Sequence, residues 1–231
     1  MMTMWKTDHE LFEMARAKLS SAVIGDILDT LGFQHQFLPP EIRPLDPKTV
    51  LVGSAMPVLE ADYFAVREVS GRNPLSSQPF GMMFEALDDL KRNEVYIASG
   101  SSPRYALWGE LMSTRAMHLG AAGAVLDGYS RDTHGVLRLG FPTFSYGSYG
   151  QDQGPRGKVV DYRVAIEIKG VAVRPGDVIY GDVDGVLVVP REAVEETFHL
   201  ALEKADKENQ VRKAIQAGMS TVEAFERFGV M

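Results

Sequence analysis

The sequence predicts an α/β domain: parallel strands joined by crossover helices, then a half rich in β-hairpins, closed by C-terminal helices. Three observations carry this reading. Helix-type and strand-type spacings alternate between residues 80 and 127, and a helix following a strand, twice, implies parallel strands linked by crossovers. From Thr143 to Val189 the pattern becomes short alternating runs broken at Lys169–Gly170, Pro175–Gly176 and Asp184–Gly185, which reads as hairpins. Past residue 191 only helical patterns follow. At 231 residues and 45% hydrophobic content the chain can fill one core, so a single domain over residues 1–231 is expected, with helix before residue 20 and again over 191–231.

The elements follow in order. Leu11, Phe12, Met14, Ala15 and Leu19 are spaced for an amphipathic helix over Glu10–Leu19. Ser20 or Ser21 caps a second helix, Ala22–Leu31, which Gly32 ends. Four prolines between residues 39 and 47 mark an irregular connection, and Leu51–Leu59 reads as a strand. Arg67–Pro79, with a glycine, an asparagine and three serines, reads as a loop and a candidate lid. Then come helix Phe80–Leu90, strand Glu94–Ala98, a turn over Ser99–Arg104, helix Gly109–Leu119, strand Gly123–Asp127 and a loop at Arg131–Asp132. A charged helix, Glu192–Ala217, closes the core, and Ser220 caps a last short helix ending at Phe228.

Composition narrows the function. Net charge is −7 with no run of Lys or Arg, which argues against nucleic acid and anionic membranes as partners. The absence of cysteine excludes disulfides and Cys zinc sites. Met1–Glu10 is polar and no apolar run reaches signal or membrane-spanning length, so a soluble, cytoplasmic protein is expected.

The most informative stretch runs from Gly109–Glu110–Leu111–Met112 to Asp127–Gly–Tyr–Ser–Arg131–Asp132, with twenty residues between Glu110 and Arg131. An acid at a helix start and a cation–acid pair just past the next strand stand where α/β folds gather polar chemistry. A carboxylate can hold a hard divalent cation, and an Arg can grip a substrate carboxylate with both arms of its fork. The free N–H groups of Leu111, Met112 and Ser113 at that helix start can receive an anion. Taken singly, each residue has a plainer reading: Glu110 complements the helix dipole, Asp127 forms a turn, and Arg131–Asp132 is a surface ion pair. Topology is what brings them together.

Other candidates are weaker. His118 reads as a surface or interface histidine; His134 is a lone loop histidine, and His9, His35 and His199 share no ligand spacing. Gly147–Gly157 is glycine-rich but lacks the order of a phosphate loop, and reads as a shaped loop near a site or interface. Met82, Met83 and Met117 read as packing residues. No serine sits in a nucleophile elbow, and the nearest Schiff-base candidate, Lys169, falls in a turn, so metal-assisted chemistry is favoured over covalent catalysis.

Trp108–Gly–Glu–Leu–Met, Gly123–Ala–Val–Leu–Asp–Gly–Tyr–Ser–Arg–Asp, Gly140–Phe–Pro–Thr–Phe, Gly154–Pro–Arg–Gly–Lys, Pro175–Gly–Asp–Val and Gly181–Asp–Val–Asp–Gly–Val–Leu–Val–Val–Pro occur in this order. Together they resemble the RraA-like family, from about Ser21 to the C-terminus. That family includes class II 4-hydroxy-4-methyl-2-oxoglutarate aldolases, with oxaloacetate decarboxylase activity, and the regulator of ribonuclease activity A. Members have also been labelled demethylmenaquinone methyltransferases, with little chemical support.

The resemblance implies a swivelling β/β/α fold, homotrimers or homohexamers with sites between subunits, and a 2-oxo acid substrate. It implies Mg²⁺ or Mn²⁺ on Asp132, Arg131 on the pyruvate oxygens, and Glu110 on metal-bound waters. The amides at Gly109, Leu111 and Met112 would receive the pyruvyl carboxylate, and a glutamate from a neighbour's C-terminal helix, with Glu208 the candidate, would approach the site. Two other functions stay open under it: a regulator that binds an RNA-degrading enzyme, and a lyase or isomerase of sugar-derived acids. Two departures stand out. Glu110 occupies a position where well-known aldolases carry Asp, and Asp62–Met83 does not match their shorter pocket loop.

Overall fold

Helix starts in the computed structural model, which describes residues 4–63 and 74–230, follow the capping residues of the sequence. The Thr7 side chain accepts from the Glu10 N–H to open α1 (Asp8–Lys18), and Ser20 does the same from Val23 for α2 (Ser21–Thr30). Gly32, at φ 89°, closes α2 in the left-handed conformation that glycine adopts without strain.

The chain then lays down β1 (Arg43–Pro44), β2 (Leu51–Asp62), a 3₁₀ turn (Pro74–Ser77), α3 (Met83–Asp88) and β3 (Glu94–Ser99). The site region follows: β4 (Ala106–Trp108), α4 (Glu110–Leu119), β5 (Gly123–Leu126), β6 (Tyr129–Ser130), α5 (Thr133–Leu139) and β7 (Thr143–Ser145). The remainder is β8 (Gly157–Tyr162), β9 (Ile166–Ile168), β10 (Val171–Val173), β11 (Val178–Asp182), β12 (Gly185–Val189), α6 (Val194–Gln216) and α7 (Thr221–Phe228).

The main sheet runs β1-β7-β5-β3-β2-β11-β12, with β8 beside the second half of β2. β2, β3, β5 and β7 are mutually parallel, as strand–helix–strand order requires, whereas β1, β8, β11 and β12 are antiparallel to their neighbours. Strand alternation splits the core into three. Val52, Tyr180, Leu187 and Val189 meet α1, α2 and α6. Met56, Val58, Tyr96, Ala98 and Leu126 meet α3 and α4. The opposite face (Leu51, Ala55, Val95, Ile97, Val125, Phe144) is covered by the β9–β10 hairpin. Helices, sheet and hairpin thus form the expected β/β/α layering.

Three local expectations are corrected. The residues after Arg131–Asp132 form a helix, α5, rather than a plain loop. It is short and carries Gly135 in its first turn, so its periodicity is weak. Thr143–Ser145 is a parallel strand on β5, not the start of a hairpin. The helix expected from Phe80 begins at Met83, because Phe80 and Gly81 take positive φ (62° and 63°), outside the right-handed helical region. Pro74–Ser77 of the candidate lid is a 3₁₀ turn, while its residues up to 73 lie outside the described residues.

Candidate active site

A ladder separate from the main sheet positions the central residues. β4 and β6 continue beyond β3 and β5 and pair in parallel, Trp108 opposite Ser130. The N–H of Arg131 donates to the Trp108 carbonyl at 2.8 Å, so the residues leaving β4 and β6 emerge side by side. Gly109 opens α4 on one side, and Arg131–Asp132 leads into α5 on the other. The Trp108 indole N–H donates to Ser113 Oγ at 2.7 Å, and Ser113 Oγ donates to the Gly109 carbonyl at 3.0 Å, which fixes the first turn of α4.

Space at this junction is rationed by glycine. A side chain on Gly109 would place its Cβ 2.6 Å from Asp132 Oδ2, so only glycine lets that carboxylate lie over the start of α4. There it accepts a long hydrogen bond, 3.4 Å, from the Glu110 N–H. Asp132 itself sits at φ 55°, ψ 33°, a left-handed conformation that Asp tolerates better than most residues.

The charges interlock. Arg131 Nη1 lies 2.8 Å from Asp152 Oδ1, and Arg131 Nε lies 3.8 Å from Asp132 Oδ2. Glu110 Oε1 lies 3.3 Å from Arg138 Nη2, an exposed pair of small energetic worth. Arg131 and Asp132 form a wall between two concavities. One, of about 310 Å³, is lined by Gly109, Leu111, Met112, Asp152 and Gln153 with an apolar side from Phe80, Met83, Phe84, Leu87 and Trp108. The other is polar and holds Glu110, Thr133, His134, Arg138, Ser148 and Tyr149.

Behind the apolar cavity lies a buried carboxyl. Gln153, only 3% exposed, donates from Nε2 to Glu60 Oε2 at 2.7 Å. Glu60 is 2% exposed, its Oε1 has no partner, and burial pushes its pKa up to about 8.

The structure therefore brings together Glu110, Arg131, Asp132 and the Gly109–Met112 helix start, as the sequence suggested. The Ser113 N–H is not free as expected, because it closes the first turn of α4 on the Gly109 carbonyl at 3.0 Å, and Asp127 does not join the group. Its carboxylate accepts from Ser99 Oγ and the Tyr146 hydroxyl, a structural role. Glu208 lines a different hollow with Val211, Arg212 and Ile215 and lies 3.9 Å from Lys204 Nζ. Asp152, Gln153 and Glu60 escaped the sequence reading. The Gly147–Gly157 stretch that carries two of them was recognisable as a shaped loop, but nothing local marks which of its polar residues turns inward.

Among the described residues no three His, Asp or Glu side chains converge as a ready-made metal cage. An all-oxygen set of one carboxylate with a second nearby fits Mg²⁺, which keeps several waters and uses one or two carboxylates. Asp132 would hold such an ion and Glu110 its waters.

Comparison with known proteins identifies the family. The RraA-like family model, described as Aldolase/RraA, matches residues 21–188. The chain belongs to the RraA-like family. It is 30% identical over 90% of its length to a Halalkalibacterium halodurans protein named "Putative 4-hydroxy-4-methyl-2-oxoglutarate aldolase", covering 90% of that protein. It is 25% identical to protein DlpA of Legionella pneumophila over 90% of the chain, and it spans 32% of that longer protein. The solved structure of Streptomyces coelicolor RraAS2, described as an unusual member of the RNase ES inhibitor RraA protein family, shares the fold. Its TM-score is 0.75 at 23% identity, covering 90% of this chain and 98% of that one. No helix among the described residues is long and apolar enough to cross a membrane.

Proposed function

We propose that this RraA-like protein is a divalent-metal-dependent lyase that cleaves a 2-oxo acid by retro-aldol reaction or decarboxylation. The observation that carries the reading is Arg131, positioned by the β4–β6 ladder between Asp132 and Asp152 at the mouth of a cavity edged by the α4 N-terminus. The N–H groups of Leu111 and Met112 would receive the substrate carboxylate, and the Arg131 fork would contact the 2-oxo oxygen. In the retro-aldol direction the C3–C4 bond breaks and its electron pair passes into the enolate of pyruvate. The C4 hydroxyl becomes a carbonyl and gives its proton to solvent, and C3 takes a proton from solvent. Arg131 opposes the charge that gathers on the enolate oxygen, where preorganised electrostatics act most strongly. Bound Mg²⁺ or Mn²⁺ would add Lewis-acid stabilisation of that same charge.

The relatives named as aldolases support this reading. A regulatory role, such as the RNase inhibition for which the Streptomyces protein's family is named, would have no need of an arginine clasped by carboxylates at a cavity. The deciding assay measures pyruvate release from 4-hydroxy-2-oxo acids and from oxaloacetate, with Mg²⁺ and after chelation. Cleavage that depends on the metal is expected; equal rates for the stripped and Mg²⁺-loaded protein would falsify the proposal.

A further inference from the structure

Arg131 is gripped on two of its nitrogens. Asp152 Oδ1 lies 2.8 Å from Nη1, and Asp132 Oδ2 makes a longer ion contact, 3.8 Å, with Nε. One contact would let the planar guanidinium swing about it, whereas two on different nitrogens fix its plane. Asp132 is the next residue in the chain, but Asp152 reaches Arg131 from the glycine-rich loop.

That loop holds the Asp152 carboxylate still. The Gly154 N–H donates to Oδ2 at 3.2 Å, so one oxygen is tied to the loop while the other meets Arg131. A Cβ on Gly154 would lie 2.8 Å from the same Oδ2, so glycine leaves the space in which the carboxylate turns back on its own backbone. Both neighbours of Asp152 are anchored in turn. The Gln151 carbonyl accepts from the Ala106 N–H at 2.9 Å, and Gln153 donates to the buried Glu60 at 2.7 Å. Arg156 Nη1 donates to the Asp152 carbonyl at 3.0 Å. The Arg131 and Asp152 side chains are 39% and 42% exposed, and an ion pair in that setting adds little to stability. So much fixing around a pair of small energetic worth serves aim, not stability.

We infer that Asp152 is a positioning residue: together with Asp132 it sets the plane of the Arg131 fork, so that the fork meets the 2-oxo oxygen already aimed. This rests on the lyase reading above. The test is Asp152→Asn, which keeps the shape and an acceptor for the Gly154 N–H but gives up the charge on Nη1. Pyruvate release is measured in Mg²⁺ from a 4-hydroxy-2-oxo acid and from oxaloacetate. In both reactions kcat should fall at least about tenfold, as small misplacements of a catalytic group do, with KM little changed. In the Arg131→Lys protein, which has no fork left to aim, the same change should cost less than about twofold. Circular dichroism and the thermal midpoint check that each variant folds. Turnover that holds or rises in the Asp152→Asn protein overturns the inference, and so do losses that simply multiply in the double variant. A loss confined to the 4-hydroxy acid overturns it too, because Asp152 would then be taking the C4 hydroxyl proton itself. Each of these results leaves the lyase reading intact. No pyruvate from either compound with the unaltered protein, in Mg²⁺ or Mn²⁺, removes both proposals together.

Discussion

Gly135 makes room for Glu110: a Cβ built on Gly135 would lie 2.2 Å from the Glu110 carboxyl carbon. The extra methylene of Glu over Asp is thus absorbed by a missing side chain on the facing helix α5. Gly135→Ala should push the Glu110 carboxylate aside. Alanine favours a helix interior by about 1 kcal/mol over glycine, and the displaced group is the free end of a partly exposed chain. The thermal midpoint should therefore hold or rise slightly while activity falls. A variant that loses stability and activity in parallel would refute this division of labour.

Arg131→Lys keeps the charge but discards the planar fork that spans Asp152 and the cavity. Activity should fall by more than about tenfold with little change in fold, because a point charge does not reproduce two-armed contact. Steady-state pyruvate release reads the loss, and near-wild-type turnover would remove Arg131 from the chemistry.

Glu60 gives stability a pH slope of defined sign. Its folded pKa, about 8, lies above the ordinary glutamate value of 4.5, so the folded state binds the extra proton between these limits. Its contribution is complete below pH 4.5 and is lost as pH rises toward 8, at about 1.4 kcal/mol per unit. Urea midpoints measured from pH 5 to 9 should decline through this window. Glu60→Gln should flatten that decline and gain most at the alkaline end.

Lys158 ties down the segment just before α3. Its Nζ donates to the carbonyls of Leu75, Ser76 and Gln78 at 2.7, 2.9 and 2.6 Å. Lys158→Met leaves three carbonyls without that donor and should cost about 3 kcal/mol. Hydrogen exchange should quicken selectively over residues 75–82, of which Phe80 lines the cavity; unchanged protection there would contradict the tether.

The α7 helix presents Val222 and Phe225, 66% and 58% exposed, on its outer face. Leu111, at the edge of the cavity, is 83% exposed. Apolar groups left open in this way fit burial between copies, and a trimer or hexamer is expected, with Glu208 of one copy near the site of another. Light scattering at micromolar concentration tests it. A fully active 25.5 kDa monomer would remove both the assembly and the shared site.

What the sequence revealed and what it hid divide along the range of the interactions. Ser20, Gly32 and Ser220 announce helix ends because caps act on their own neighbours. The meeting of Glu110 with Arg131–Asp132 was legible because crossover topology brings such ends together. Gln153 and Glu60 are 93 residues apart, and nothing in either local pattern points to the other. Asp152 becomes special only when the glycine-rich loop folds onto Arg131. The small β4–β6 ladder was invisible because runs of three and two residues carry no periodicity.

Trp108, wedged between the Tyr96 and Phe141 rings with its indole N–H held by Ser113, also lines the cavity. The chain has one other tryptophan, Trp5, which packs against the core beneath α1, α2 and α6. The molecule therefore carries its own optical gauge. A Trp5→Phe protein would glow from a single indole at the wall where substrate is proposed to sit, and a bound guest would register as a change in colour or brightness with no label attached.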